Sequence, residues 1–433
     1  MTPQSAFMVS APIRPGAVDE LRKVLAGLNH RPGVADPHNP LVPFARLEHL
    51  HFARFIILDD PTVDDITAYG VPRTSAPPIL AFLADVDGLP DAFLAHLVRL
   101  AGPGLRRIFG YCEGFQPDGD LSRWLSDHAR APAASYVNWV GRTVRQAREE
   151  AALADALRRY VGAHAAALAG REPRAVREAL VRFVADERAA ERLPLMPEAP
   201  TPLGWRLRNA LHAVGVPLAL AALLPPILAY LPVFFVQLRR RERRDPEIVP
   251  RPTLPHVRAL AELEDHHATN QFSAIGTVKP GAFRRFTLIA FLFLLDYAAR
   301  HVYRRGYLAR VRTIHFARWV FLDGKTRLLF ASNYDGSLES YMDDFINKVG
   351  WGLNLVFSNG VGYPRTAWLI KGGAQDEQKF KRFIRRHQLP AEVWYDAYAG
   401  RSAVDLDCNT RIRRGIERPP RTDAQVRAWL ALL

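Results

Sequence analysis

Two short strings, HFARFIILD at His51–Asp59 and HFARWVFLD at His315–Asp323, each place a histidine and an arginine three positions apart inside an apolar run. An arginine in such surroundings needs a partner, because an unpaired charge is costly to bury. Arg54 and Arg318 are therefore the first candidates for chemistry. They could hold a carboxylate, a phosphate or another anionic group, or each could close an ion pair with an acid of the other copy. His51 and His315 carry imidazoles suited to general-base work, or they are hydrogen-bonded residues at a strand start. Asp87-Gly88 and Asp335-Gly336 are ordinary turn pairs. The adjacent His266 and His267 lack further ligands at metal-binding spacing, so no metal site is indicated. No phosphate loop, dinucleotide fingerprint, nucleophile elbow or zincin motif is present.

The elements that must position these residues come in duplicate. FMVSAPIRPG (Phe7–Gly16) matches FSAIGTVKPG (Phe272–Gly281), and LAFLADVDGLPDAFLAHLV (Leu80–Val98) matches LLFASNYDGSLESYMDDFI (Leu328–Ile346). His128, Tyr136, Trp139, Gly141 and Arg142 recur at the same spacing as His387, Tyr395, Tyr398, Gly400 and Arg401. Four blocks in one order imply a duplicated unit, residues 1–157 and 266–433, around an insertion at 158–265. Each unit reads β-α-β-β-α-β: strands at Phe7–Ile13, His51–Asp59, Ile79–Ala84 and Arg107–Tyr111, helices at Val18–Leu28 and Pro90–Leu100. That order is ferredoxin-like. Strict alternation puts His315, Ala317, Trp319 and Phe321 on one sheet face and Phe316, Arg318, Val320 and Leu322 on the other. Both faces are apolar, so the second copy is expected to cover what the helices do not.

On these blocks the chain resembles the dimeric α/β-barrel superfamily, in which two ferredoxin-like units pack sheet to sheet; members with both units in one chain include dye-decolourising peroxidases and relatives of chlorite dismutase. The resemblance implies an α+β fold of tandem repeats forming a pseudo-dimeric barrel. It also implies haem as a cofactor, with His51, His315 or His267 as its ligand and Asp335 acting beside Arg318. Of the peroxidase GxxDG motif only the Asp-Gly remains, in ADVDG (Ala84–Gly88) and SNYDG (Ser332–Gly336).

The insertion differs in kind. Ala147–Arg192 is rich in Ala, Arg, Glu and Leu and reads as helix. Leu211–Leu238 (LHAVGVPLALAALLPPILAYLPVFFVQL) has no charged residue and exceeds the ~20 residues needed to cross a bilayer. Pro217, Pro225, Pro226 and Pro232 argue against one straight span and favour a re-entrant or shallow hairpin turning at Pro225-Pro226. A core segment of a soluble protein is the competing reading. Arg239, Arg240, Arg241, Arg243 and Arg244 follow it directly, on the expected cytoplasmic side. FTLIAFLFLL (Phe286–Leu295) is too short to cross but could lie on lipid between Arg284-Arg285 and Arg300, Arg304 and Arg305.

Bulk composition narrows the classes. The net charge is +14, nearly all of it Arg, with 48% hydrophobic and 24% charged residues, which describes a folded chain. No helix-turn-helix, zinc-finger or RNA-binding signature accompanies the charge, which argues against nucleic acid. Cys112 and Cys408 imply no disulfide framework. The N-terminus lacks a signal-peptide pattern, so the bulk is expected in the cytoplasm. The combined expectation is a membrane-associated protein holding a lipophilic or anionic ligand between its halves. As an enzyme it would be a haem-dependent or cofactor-free oxidoreductase of peroxidase or oxygenase type, acting on a lipid-like substrate. The alternative is a non-catalytic membrane scaffold.

Overall fold

A computed structural model describes residues 2–73, 76–303, 306, 308, 310–418 and 422–433; Arg304 and Arg305 lie outside them. The chain begins with β1 (Gln4–Pro12), α1 (Val18–Ala26), the short strands β2 (Asn29–Arg31) and β3 (Gly33–Ala35), β4 (Leu50–Leu58) and β5 (Ile79–Asp87). There follow α2 (Pro90–Phe109), α3 (Leu121–Asp127) and β6 (Ala134–Val137). A helical stretch comes next: α4 (Val144–Ala163), α5 (Ala165–Leu168), α6 (Pro173–Ala189), α7 (Leu203–Ala222), α8 (Leu224–Arg244) and α9 (Leu254–Ala261). The remainder runs β7 (Thr269–Thr277), α10 (Ala282–His301), β8 (Ile314–Leu322), β9 (Arg327–Asp335) and α11 (Leu338–Phe357). It closes with β10 (Thr366–Ala367), β11 (Lys371–Gly372), α12 (Glu377–His387), β12 (Val393–Asp396), α13 (Ala403–Glu417) and α14 (Asp423–Leu430).

The architecture is α+β. One sheet has the order β1-β5-β4-β12-β3-β2, a second β6-β8-β9-β7, and β10 and β11 form a two-stranded ladder of their own. Strands change partners across the chain: β12 pairs with β4, Trp394 opposite Arg54, and β6 pairs with β8, Ser135 opposite Arg318. Helices α1 and α2 cover the outer face of the first sheet over Phe55, Phe82, Leu97 and Phe109. Helices α10 and α11 do the same for the second over Leu288, Leu292, Phe330 and Phe345. The inner faces meet in a dry layer that includes Met8, Ile56, Leu83, Ile275, Val320 and Leu329.

Two expectations need correction. Arg107–Tyr111 is not a strand, because α2 continues to Phe109. The string Gly102-Pro103-Gly104 reads as a terminator, yet Gly104 lies in the helix where α2 presses on the Leu41 backbone; a Cβ there would stand 1.9 Å from the Leu41 carbonyl oxygen. The sheets also do not close into a barrel. The segment leading to β6 bonds first to β1 (Ser10 N to His128 O 3.1 Å, Arg130 N to Met8 O 2.8 Å) and then to β8 (Ala133 N to Trp319 O 2.7 Å). The segment leading to β12 bonds first to β7 (Leu389 N to Ser273 O 2.8 Å) and then to β4 (Glu392 N to Phe55 O 2.9 Å). Pro132 and Pro390 sit at these crossings, and proline has no N–H to continue a ladder.

Helices α7 and α8 stand apart from both cores. No residue of α7 is buried, and in α8 only Leu238 and Glu242 are. No single helix among the described residues is long and apolar enough to cross a membrane, but α7 and α8 pass that test as a pair bent by 66°. The bend falls at Leu223. Pro225 and Pro226 occupy the first turn of α8, where a missing N–H costs nothing. The segment therefore forms an elbow, not a tight hairpin, and its exposure is the opposite of a core helix. Its base is fixed by polar contacts. Glu242 accepts from Thr366 Oγ1 (3.0 Å), Trp368 N (2.9 Å) and Leu369 N (2.9 Å). Asp245 accepts from Lys279 Nζ and Arg284 Nη2, both at 2.6 Å.

Candidate functional site

The paired arginines meet between the sheets. Arg54 donates to Phe272 O (2.8 Å), Ser273 Oγ (2.9 Å), Ser332 O (2.9 Å), Gln271 Oε1 (3.2 Å) and Asn333 Oδ1. Arg318 reaches the opposite way, to Phe7 O (2.8 Å), Ala84 O (3.0 Å) and the Asp85 carboxylate. Asn333 Nδ2 donates to Asp85 Oδ2 at 3.0 Å and joins the two systems. Burial, with Arg318 nearby, pulls the Arg54 guanidinium down to about 9, so it stays charged at neutral pH. Both arginines are only 3% exposed and donate to protein acceptors. The arrangement is a staple between sheets.

The histidines sit at one end of this layer for a reason that alternation misses. Leu50 faces Val86 and Phe52 faces Asp85, so His51 is an extra residue in a bulge. Ile314 faces Tyr334 and Phe316 faces Asn333, which makes His315 the same. A bulge turns its residue out of the alternating pattern. Each ring consequently contacts an aromatic of the other sheet: His51 and Phe316 centroids lie 5.1 Å apart, Phe52 and His315 centroids 5.5 Å.

Each histidine is held by the Asp of an Asp-Gly pair. His51 Nε2 lies 3.0 Å from Asp87 Oδ1, and His315 Nε2 2.6 Å from Asp335 Oδ1. The other oxygens accept from the first helical N–H groups of α4 and α13, Val144 N at 2.9 Å and Ala403 N at 2.7 Å. Negative charge at a helix start is favourable. Gly88 (φ 85°) and Gly336 (φ 81°) supply the left-handed turn. Burial pulls the His315 imidazole down, but the Asp335 carboxylate outweighs it and the net shift is upward. Asp396 and Tyr398, neither singled out by the sequence as titrating groups, complete the cluster. Loss of water pushes the Asp396 carboxyl up to about 6, and the Tyr398 hydroxyl lies 3.2 Å from His51 Nδ1. Arg142 lies 4.2 Å over the Trp139 ring and donates to Thr410 Oγ1 at 3.0 Å.

Haem does not fit these residues. His51 has both ring nitrogens engaged, and His315 gives Nε2 to Asp335. The cavity between them is about 20 Å³, room for about one water. Arg318 is tied to Asp85 while Asp335 is tied to His315 and α13, so the expected Asp–Arg pair is not formed. His267 is half-buried, with Nε2 2.6 Å from Arg31 Nη2, and burial together with Arg31 lowers its proton affinity. His266 points elsewhere, to Glu262 O at 3.1 Å. Among the described residues no three His, Cys, Asp or Glu side chains converge as a metal site.

The other candidate region is the elbow and what it leans on. Leu207, Leu211, Val214 and Leu218 of α7 are 61–64% exposed. In α8, Leu228, Tyr230, Val233 and Val236 are about half exposed, and α10 adds Phe286 and Phe293. The helices touch: Tyr297 Oη donates to Ala213 O at 2.9 Å, and the Phe234 and Phe283 rings lie 5.3 Å apart. At the polar end Arg239 sits 5.7 Å over the half-exposed Trp368, and Arg240, Arg243 and Arg244 face solvent. No protein-family model matches the chain, and no curated protein matches it in sequence.

Proposed function

We propose that the chain is a tandem duplicate of a ferredoxin-like unit whose halves share strands, and that it works seated on the cytoplasmic face of a membrane, handling lipophilic, anionic molecules there. The observation that carries this reading is the exposed apolar elbow. A soluble protein rarely leaves so large a contiguous apolar surface uncovered, and its transfer from water is worth roughly 25 cal/mol per Å². The chemistry at its base suits a lipid headgroup layer: arginines beside a tryptophan are the residues that settle at a membrane interface. The inter-sheet layer then serves as a rigid body, and ligand handling belongs outside it.

Flotation of the full-length protein with vesicles of mixed neutral and anionic lipid tests this. The wild type should float, and Leu218→Glu with Leu228→Glu should lose at least tenfold in partitioning while keeping its thermal midpoint. Each site is already exposed, so folding should not suffer. A wild type that stays at the bottom of the gradient, or a double variant that floats equally well, overturns the reading.

A further inference from the structure

A cleft of about 710 Å³ opens between the two halves beside α10, within the volume range of small-ligand sites. One wall is the end of β1 with the segment leading into β6; the other is α10 with the β8–β9 turn. Its floor is apolar, built from Ile79, Ile289, Phe293 and Phe321. Its charged rim is unevenly satisfied. Asp296 accepts from Ser135 N (3.2 Å) and pairs with Arg300 (3.3 Å), and Asp323 holds Arg327. The side chains of Arg130 and Lys325 are exposed at this rim and have no partner among the described residues. The turn that brings Lys325 there is strained: Asp323 (φ 47°), Gly324 (φ 61°) and Lys325 (φ 70°) all lie in the left-handed region, which disfavours residues that carry a side chain. Strain of this kind collects where a residue is held for a purpose.

We propose that this cleft binds a free long-chain monocarboxylate, its alkyl chain along Ile289, Phe293 and Phe321 and its carboxylate between Arg130 and Lys325. The acids are neutralised within the protein and the two cations are not, so the rim attracts an anion, while the floor rewards a chain. Helix α10 lines the cleft on one side and supports α7 on another, so a chain leaving the bilayer would enter along it. The proposal names the ligand class for the membrane reading and rests on that reading only for this route of entry.

Calorimetric titration of the full-length protein with decanoate, without vesicles, tests it, with decanol as the uncharged analogue. Decanoate should bind at one site, tenfold or more tighter than decanol. Arg130→Gln with Lys325→Gln should erase that difference and leave decanol binding and vesicle flotation unchanged. Equal affinity for decanoate and decanol, no decanoate binding, or a double variant that still prefers decanoate each overturns the proposal. Failed flotation with intact decanoate preference removes the membrane reading and leaves the cleft assignment standing.

Discussion

Asn333 Nδ2 donates to Asp85 Oδ2 at 3.0 Å across the sheet interface, and the two residues occupy the same position in the matching strings LAFLADVDG and LLFASNYDG. Each answers the arginine of the opposite half: Asp85 takes Arg318 and Asn333 takes Arg54. Two carboxylates in this contact would repel in a medium where charge is poorly screened. One amide removes the repulsion and adds a hydrogen bond, and the excess positive charge is absorbed by the carbonyls around Arg54.

The two arginines should therefore fail differently when removed. Arg318→Met strands the Asp85 carboxylate in a dry layer, and breaking a buried pair in this way costs about 3–5 kcal/mol. Adding Asp85→Asn should recover part of that loss. Urea unfolding of the two variants and the wild type gives the comparison. A double variant no more stable than Arg318→Met would show that the carboxylate is not the source of the cost.

The histidine end should give the protein an acid-side stability gain. Asp396 keeps its proton to about pH 6 in the fold, against about 3.9 in an unfolded chain. The folded state thus binds more protons over that interval; the contribution is fully present below about pH 4 and is lost as pH rises through 6. At about 1.4 kcal/mol per unit it amounts to roughly 3 kcal/mol at most. His315, raised by Asp335 against the pull of burial, acts in the same direction at higher pH. Asp396→Asn, which keeps an acceptor for Tyr398 N, should be more stable than the wild type at pH 8 and nearly equal to it at pH 4. Urea midpoints at those two values decide the matter; a variant weaker at both would refute the assignment.

Haemin added to purified protein should give no one-to-one Soret band. The cavity beside the histidines is too small, and each histidine gives its Nε2 to an aspartate. A stoichiometric band that vanishes in His315→Ala would contradict this.

The exposed arginines at the end of α8 should act through charge alone. Replacing Arg240, Arg243 and Arg244 by Gln should weaken binding to anionic vesicles by about 1 kcal/mol each, roughly a hundredfold together. Neutral vesicles should not distinguish the variant, and high salt should close the gap. Equal loss on both vesicle types would point to damage of the elbow instead.

The sequence showed the paired HFAR strands, the facing of two sheets and the exposed apolar segment, because each is written in local pattern. It did not show the bulges at His51 and His315, since one extra residue against a partner strand leaves no mark in alternation. It placed a strand at Arg107–Tyr111 because the glycine needed for close approach to Leu41 looks like a helix stop. The exchange of β6 and β12 between sheets was hidden for a related reason: short strands carry little periodicity, and their partners lie more than a hundred residues away. Asp396 is invisible as a titrating group until its neighbours are in place.

Depth measurement on vesicles bears most directly on the central claim. Spin labels at Leu228→Cys, on the elbow, and Leu89→Cys, exposed just before α2, in a Cys408→Ser background, report contact with oxygen dissolved in lipid or with a water-soluble nickel complex. The membrane-seated arrangement requires the label at 228 to be shielded from nickel and accessible to oxygen, with the label at 89 showing the reverse. Equal nickel access at both positions would mean that the elbow never leaves water.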